Sequence, residues 1–254
     1  MYNVGIIALN TFRENLRDKI LYNLLLFAGL LITASLLLSS LSMGEQQKIV
    51  ADMGLAAINL IGVMIAVFVG IGLVSKEIDR RTIYTIMAKP ISRAQFLTGR
   101  YLGLVLTLSV NLVIMLIVFF LMLWMVKVSP HVSILQAIEL IFVELLVVTA
   151  VALFFSTFSS AMVSASLTVG LYVIGHLTQD LKALAEKGEN EFETALLTAV
   201  YYIVPNLEKL NLKGQAAAGI PISFTYQAMA TVYGLFYASL LIAAACVTFQ
   251  RRDF

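Results

Sequence analysis

The sequence is poor in charge, cysteine and proline, and each shortage excludes a class of protein. Only 13% of its 254 residues are Asp, Glu, Lys or Arg, about half the share found in a soluble domain. A single cysteine, Cys246, permits neither a disulfide framework nor a cysteine-based metal site. The net charge of +2 is too small for a nucleic-acid-binding protein.

Motifs for nucleotide hydrolysis and metal binding are also missing from the sequence. No Gly-Lys-Ser/Thr occurs, and the glycine spacing at Gly170 and Gly175 lies within an apolar run. Met122, Met125 and His131 are too few for a copper site. We therefore expect no catalytic residues, no metal and no cofactor in this chain.

Apolar residues are abundant, at 60% of the chain, with a mean hydropathy of +0.93. A helix needs about twenty apolar residues to cross a bilayer. The fold class predicted is an all-α membrane protein, one transmembrane domain over residues 1–254. The spans are expected at 20–42, 53–74, 101–126, 134–156, 158–177 and 227–249, with the 134–176 stretch turning back near 155–160. The first span is expected to be retained rather than cleaved as a signal.

Two segments outside the spans also have helical patterns. Residues 1–19 predict an amphipathic interfacial helix, with Phe12 on its apolar stripe and Arg13 and Arg17 on its polar side. The alternative is a frayed tail. Residues 178–226 predict a short helical segment whose second helix, ending before Pro205, dips into the membrane interface or packs on the bundle.

Lysine and arginine placement predicts the orientation of the chain. Every arginine falls in the N-terminal segment, in residues 75–100 or after the last span. Both termini are therefore expected in the cytoplasm of a bacterial inner membrane protein. The outer segments then carry Lys182, Lys187, Lys209 and Lys213.

Residues 75–100 form a charged loop between two apolar runs. A short helix over 77–87 is expected to end before Pro90, because the residue preceding proline disfavours the helical conformation. Ser92 and Gln95 have the spacing of a capping box that starts the next helix. The loop is therefore predicted to be a stiff helix and corner held between two spans.

Two glutamates lie within the predicted fourth span. Glu144 is near its middle and Glu139 is closer to the outside, on a different helical face. A charge at that depth is costly, so Glu144 is expected to be protonated, paired or facing a polar cavity. It is either part of a translocation path or a packing contact, and Glu139 is the weaker candidate. Small residues recur every fourth position at Gly62, Ala66 and Gly70 and at Ser160, Ser164 and Thr168, which favours close helix approach.

Several motifs together resemble the type-2 ABC transporter permeases, and among them the NosY-like branch linked to multicopper-enzyme maturation. They are Glu77-Ile-Asp-Arg-Arg-Thr-Ile, Lys89-Pro-Ile-Ser-Arg93, Gly99-Arg-Tyr-Leu-Gly103, Thr11-Phe-Arg-Glu-Asn-Leu-Arg17, Val204-Pro-Asn-Leu-Glu208 and Phe249-Gln-Arg-Arg-Asp-Phe254. The resemblance covers the whole chain.

This resemblance implies a coupling helix at 77–87 that contacts a separate ATPase subunit, which would bind ATP and Mg. A second permease chain would complete the transporter, as a homodimer or a heterodimer. The coupling residues would be Glu77, Asp79, Arg80, Arg81, Thr82, Pro90, Ser92 and Arg93.

Three functions follow as hypotheses. The first is the permease subunit of an ABC exporter. The second is a mechanotransmission subunit that moves a periplasmic partner without carrying cargo. The third is a stand-alone proton-coupled carrier or intramembrane enzyme built on Glu144, which the scarcity of other intramembrane ionisable residues disfavours.

Overall fold

The computed structural model describes residues 2–40, 46–79, 92–127, 131–187 and 191–251. All the regular structure within these ranges is helical, which confirms the all-α part of the predicted fold class. The helices are α1 Tyr2–Asn15, α2 Lys19–Ser40, α3 Gln46–Asp79, α4 Arg93–Met125, α5 Val132–Ser156, α6 Ala161–His176, α7 Thr178–Lys187, α8 Glu191–Ile203, a 3-10 helix Leu207–Leu210, α9 Lys213–Ala217 and α10 Phe224–Gln250.

Four helices of the described ranges are long and apolar enough to cross a membrane alone: α3, α4, α5 and α10. α6 and α7 qualify only together, as a pair bent by 60°. α2 has 22 residues, and its described apolar part is Leu21–Ser35. The structure therefore supports four or five spans, and the count of six stays a prediction.

α5 lies at the centre of the bundle and packs against α3, α6 and α10. Small residues let its neighbours approach closely. A Cβ added at Gly62 of α3 would lie 2.7 Å from Leu145, and one at Gly70 would lie 3.3 Å from Ala152. The small-residue stripe predicted on α3 is thus its contact surface with α5. The predicted turn after Phe155 is also confirmed, since α5 ends at Ser156 and α6 begins at Ala161.

At one end of the bundle, which we term the terminal end, α1 packs on the first turns of α4. A Cβ at Gly99 would lie 2.7 Å from the Cβ of Ile7, and one at Gly103 would lie 2.7 Å from the carbonyl oxygen of Ala8. The start of α4 also meets the end of α10, where the rings of Phe96 and Phe249 stack with centroids 6.2 Å apart.

At the opposite end, the chain turns back into the bundle after α8. α6 has only 16 residues, about 24 Å of helix, which is shorter than the hydrocarbon core of a bilayer. Residues 205–217, which we term the return segment, pack against α3, α5 and α6 beyond its end. Their side chains Leu207, Leu210, Leu212 and Ala216 are buried in the core. The return segment is thus part of the bundle core, although it lies within the polar stretch 178–226.

Candidate functional site

Glu144 is the most deeply buried carboxylate of the described residues, with no exposed surface. It lies twelve residues from either end of α5, about 18 Å along the helix axis. The helix supplies no partner for a carboxylate at that position, because the side chains one turn away, Leu140, Ile141, Val147 and Val148, are all apolar. Any compensation must therefore come from neighbouring helices.

Neighbouring elements provide four polar side chains around this carboxylate. The amide nitrogen of Asn59 on α3 lies 3.4 Å from each carboxylate oxygen of Glu144. From α6, His176 places Nε2 3.4 Å from Oε1, and the hydroxyl of Tyr172 is directed at the same carboxylate. Nζ of Lys213 in the return segment lies 3.9 Å from Oε2. We term these five residues the Glu144 cluster.

Hydrogen bonding orients the imidazole of His176 within this cluster. Its Nδ1 lies 3.1 Å from the carbonyl oxygen of Tyr172, which can only accept, so Nδ1 carries a proton. Nε2 then faces Glu144, and a proton on either the imidazole or the carboxyl group makes that contact attractive. The cluster therefore brings an imidazole and an amine within 4 Å of one buried carboxylate.

Two of these partners, His176 and Lys213, were not predicted from the sequence. The sequence indicated few ionisable residues besides Glu144 within the membrane, and it placed Lys213 in an outer segment. Both side chains are largely buried, at 20% and 14% exposed. α6 ends at His176 and the return segment enters the bundle above it, so residues distant in sequence meet at one carboxylate.

Glu139 lies on a different face of α5 and contacts α10. It accepts hydrogen bonds from the side-chain amide of Gln227 and, at 2.9 Å, from the hydroxyl of Thr231. Gln136, one turn earlier, donates to the side chain of Gln227 at 2.7 Å. These hydrogen bonds join α5 to α10.

At the terminal end, the described residues hold the start of α4 firmly in place. Ser92 and Gln95 form the predicted capping box, with reciprocal backbone and side-chain contacts of 3.2 Å. Arg93 donates to the carbonyl oxygens of Phe249 and Gln250, at 3.1 and 3.0 Å, and so caps the last turn of α10. The capping box is a local contact, whereas the Arg93 bonds join α4 to α10.

Other predicted coupling residues fall at the edge of the described ranges or beyond them. Glu77 and Asp79 belong to the last turn of α3, which continues five residues past the predicted span. Arg80, Arg81, Thr82 and Pro90 lie outside the described residues. α3 is therefore one continuous helix from the opposite end of the bundle to the beginning of the charged loop.

α1 turns a different face toward the bundle than its apolar stripe predicts. Ala8, Thr11 and Asn15 are buried against α4, whereas Phe12 is half-buried and Arg13 and Arg17 are exposed. Small side chains are required there because Gly99 and Gly103 bring the two backbones together.

Polar contacts fix the register of α1 on α4. The guanidinium of Arg100 lies 2.9 Å from the carboxylate of Glu14 and 3.3 Å from the hydroxyl of Thr11. Asn15 donates to Thr107 at 3.0 Å. The spacing of Gly99 and Gly103 carried a signal for this contact, but nothing in the sequence indicated α1 as the partner.

Residues 7–254 match the family model described as ABC-2 family transporter protein. The chain belongs to this family. A comparison with curated proteins gave no match. ABC-2 permeases are the membrane subunits of ABC transporters and generally work with an ATPase subunit, so the chain is a multi-pass membrane protein of that kind.

ABC-2 membership also decides between the classes of function considered from the sequence. A permease subunit agrees with the match, and a stand-alone carrier or intramembrane enzyme does not. The Glu144 cluster is then a feature inside a permease.

Within the described part of the chain, no three His, Cys, Asp or Glu side chains form a group able to hold a metal ion.

Proposed function

We propose that this ABC-2 permease is the membrane subunit of an ATP-driven exporter in a bacterial inner membrane, with both termini in the cytoplasm. A separate ATPase subunit binds ATP and Mg, and a second copy of the permease completes the transporter. The family match over nearly the whole chain carries this proposal. The NosY-like branch and its copper-related role stay predictions.

Force from the ATPase enters, in this proposal, through residues 77–87. Two features of the terminal end support it. α3 continues as helix to Asp79, and α4 restarts at Arg93 with a capping box and a bond to α10. α3 therefore reaches the loop as continuous helix, and the start of α4 is held to α10, so a push on the loop is passed to both helices.

Glu77, Asp79, Arg80, Arg81 and Thr82 are the proposed contacts with the ATPase. Pro90 and Arg93 are the proposed hinge and anchor, with Ser92 as the cap of α4. The test replaces Glu77 and Arg81 together with alanine and measures co-purification of the ATPase and its ATP turnover. We expect both to fall by about tenfold or more, since two charged contacts are lost at one interface. Undiminished binding and turnover would remove the coupling assignment.

Orientation is tested separately with a cysteine in place of Glu189 and a membrane-impermeant thiol reagent, in a chain with Cys246→Ala. Labelling from outside is expected. Labelling only from the cytoplasmic side would reverse the orientation and place the charged loop outside, away from any ATPase.

The mechanotransmission alternative draws on α7 and α8. These two helices pack mainly on each other and expose apolar side chains, among them Phe192, Leu196 and Tyr202. A photo-crosslinker in place of Tyr202 distinguishes the exporter from the mechanotransmission subunit. One dominant periplasmic protein adduct would favour mechanotransmission, and adducts with lipid alone would favour an exporter that needs no such partner.

A further inference from the structure

The return segment is attached to the bundle on two sides, and the two attachments differ in kind. On one side, α10 provides three tyrosines. Tyr226 donates to the carbonyl oxygen of Lys209 at 3.0 Å, and Tyr233 accepts from the backbone nitrogen of Asn206 at 2.9 Å. Tyr237 donates to the carbonyl oxygen of Ile203 at the end of α8, two residues before the segment begins. These bonds engage the backbone, so they do not depend on the side chains of the segment.

On the other side, the attachment is made by side chains. Leu212 and Ala216 are buried where the segment packs on α3 and α5, and Lys213 faces Glu144. The contacts around Glu144 measure 3.4 to 3.9 Å, longer than the roughly 2.7–3.2 Å of an ordinary hydrogen bond. Removing one partner of a buried charge pair leaves the other uncompensated. A change in the charge or position of Glu144 or Lys213 should therefore break this side-chain attachment before it breaks the backbone bonds to α10.

α3 connects this weaker attachment to the terminal end of the bundle. Asn59 contacts Glu144 from α3, and twenty residues of continuous helix separate it from Asp79, about 30 Å. A helix of that length transmits a shift of its end along its axis, because its backbone hydrogen bonds keep its length fixed. A shift of α3 thus changes the contact between Asn59 and Glu144. The contact between Glu144 and Lys213 changes with it.

We propose that the return segment is a gate over the opposite half of the bundle, hinged on the three tyrosines of α10 and held shut by the Glu144 cluster. Lys213 is the residue that latches it. The further step, in which α3 opens the gate, rests on the proposed function, since it requires an ATPase to move the charged loop. The hinge and latch stand on the contacts alone.

The test uses two buried reporters in a chain with Cys246→Ala. Ala216→Cys reports on the latch side, and Leu210→Cys reports on the hinge side, because the native Leu210 side chain lies next to Gly234 of α10. Each native residue is 1% exposed. The rate of alkylation by N-ethylmaleimide is measured in the purified permease with Glu144→Gln, with Lys213→Met and with both. Lys182→Met and Glu186→Gln serve as matched controls, because that pair is exposed, at 56% and 69%.

We expect either single change at the latch to raise alkylation of Ala216→Cys by about tenfold or more while Leu210→Cys stays protected. The double variant should react less than the product of the two single effects, since it leaves no buried charge unpaired. The control pair should change neither rate.

Three results would overturn the gate. They are unchanged alkylation of Ala216→Cys, an equal rise at Leu210→Cys, which would indicate a purely structural cluster, and independent effects of Glu144 and Lys213. Leu212→Cys is a second latch-side reporter if Ala216→Cys does not fold.

The α3 step is tested in the complex with the ATPase, trapped with ATP and vanadate. Alkylation of Ala216→Cys should rise about tenfold over the nucleotide-free complex. No rise in a complex that binds and turns over ATP would refute the role of α3. A chain that neither binds nor stimulates the ATPase would instead refute the proposed function, and the measurements on the isolated permease would still decide the hinge and latch.

Discussion

Replacing Gly103 with alanine should detach α1 from α4, since the two backbones meet at this position. The new Cβ would lie 2.5 Å from the Cβ of Thr11 and 2.7 Å from the carbonyl oxygen of Ala8. The second atom is backbone, so α1 must move as a whole. Overpacking of this kind costs about 1–3 kcal/mol.

Displacement of α1 also weakens the polar contacts beside Gly103. The buried bond from Asn15 to Thr107 is worth about 1 kcal/mol. The pair formed by Arg100 and Glu14 adds little, because the carboxylate of Glu14 is 57% exposed. Local opening of α1 should therefore become about 2–4 kcal/mol easier, which raises hydrogen exchange in α1 roughly 30- to 700-fold.

Hydrogen exchange of α1 in the detergent-solubilised protein measures this effect directly. Gly170→Ala is the matched control, because an added Cβ there meets no atom within 4 Å, and α1 should exchange at its native rate in that variant. Native exchange of α1 in Gly103→Ala would show that the close approach of α1 and α4 is not what holds them together.

Two further changes test the attachments of α10. Arg93→Met removes the cap on the last turn of this helix and should cost about 1–3 kcal/mol locally, seen as faster exchange near its C-terminus; an unchanged rate would mean that the cap contributes nothing. Tyr233→Phe leaves the backbone nitrogen of Asn206 without its acceptor, so hydrogen exchange of the return segment should rise about tenfold. Tyr22→Phe, at an exposed tyrosine, is the control. The same exchange rate of the return segment in both variants would disprove the tyrosine hinge.

Local features of this protein were predictable because neighbouring residues determine them. The capping box at Ser92 depends on a spacing of three residues, and the small residues at Gly62 and Gly70 repeat every fourth position on one helical face. Apolar run length likewise predicted an all-helical membrane protein. It did not determine the number of spans, since a run of apolar residues does not reveal that α6 stops short and bends by 60° into α7.

The surroundings of Glu144 were decided by tertiary structure alone. The sequence indicated a buried carboxylate in need of a partner, and hydropathy assigned Lys213 to water because its neighbours are polar. The return segment enters the bundle because Leu207, Leu210 and Leu212 are buried there and tyrosines of α10 satisfy its backbone. Lys213 is carried inward with them and meets Glu144. A buried charge requires compensation, but only the path of the chain determines which residue provides it.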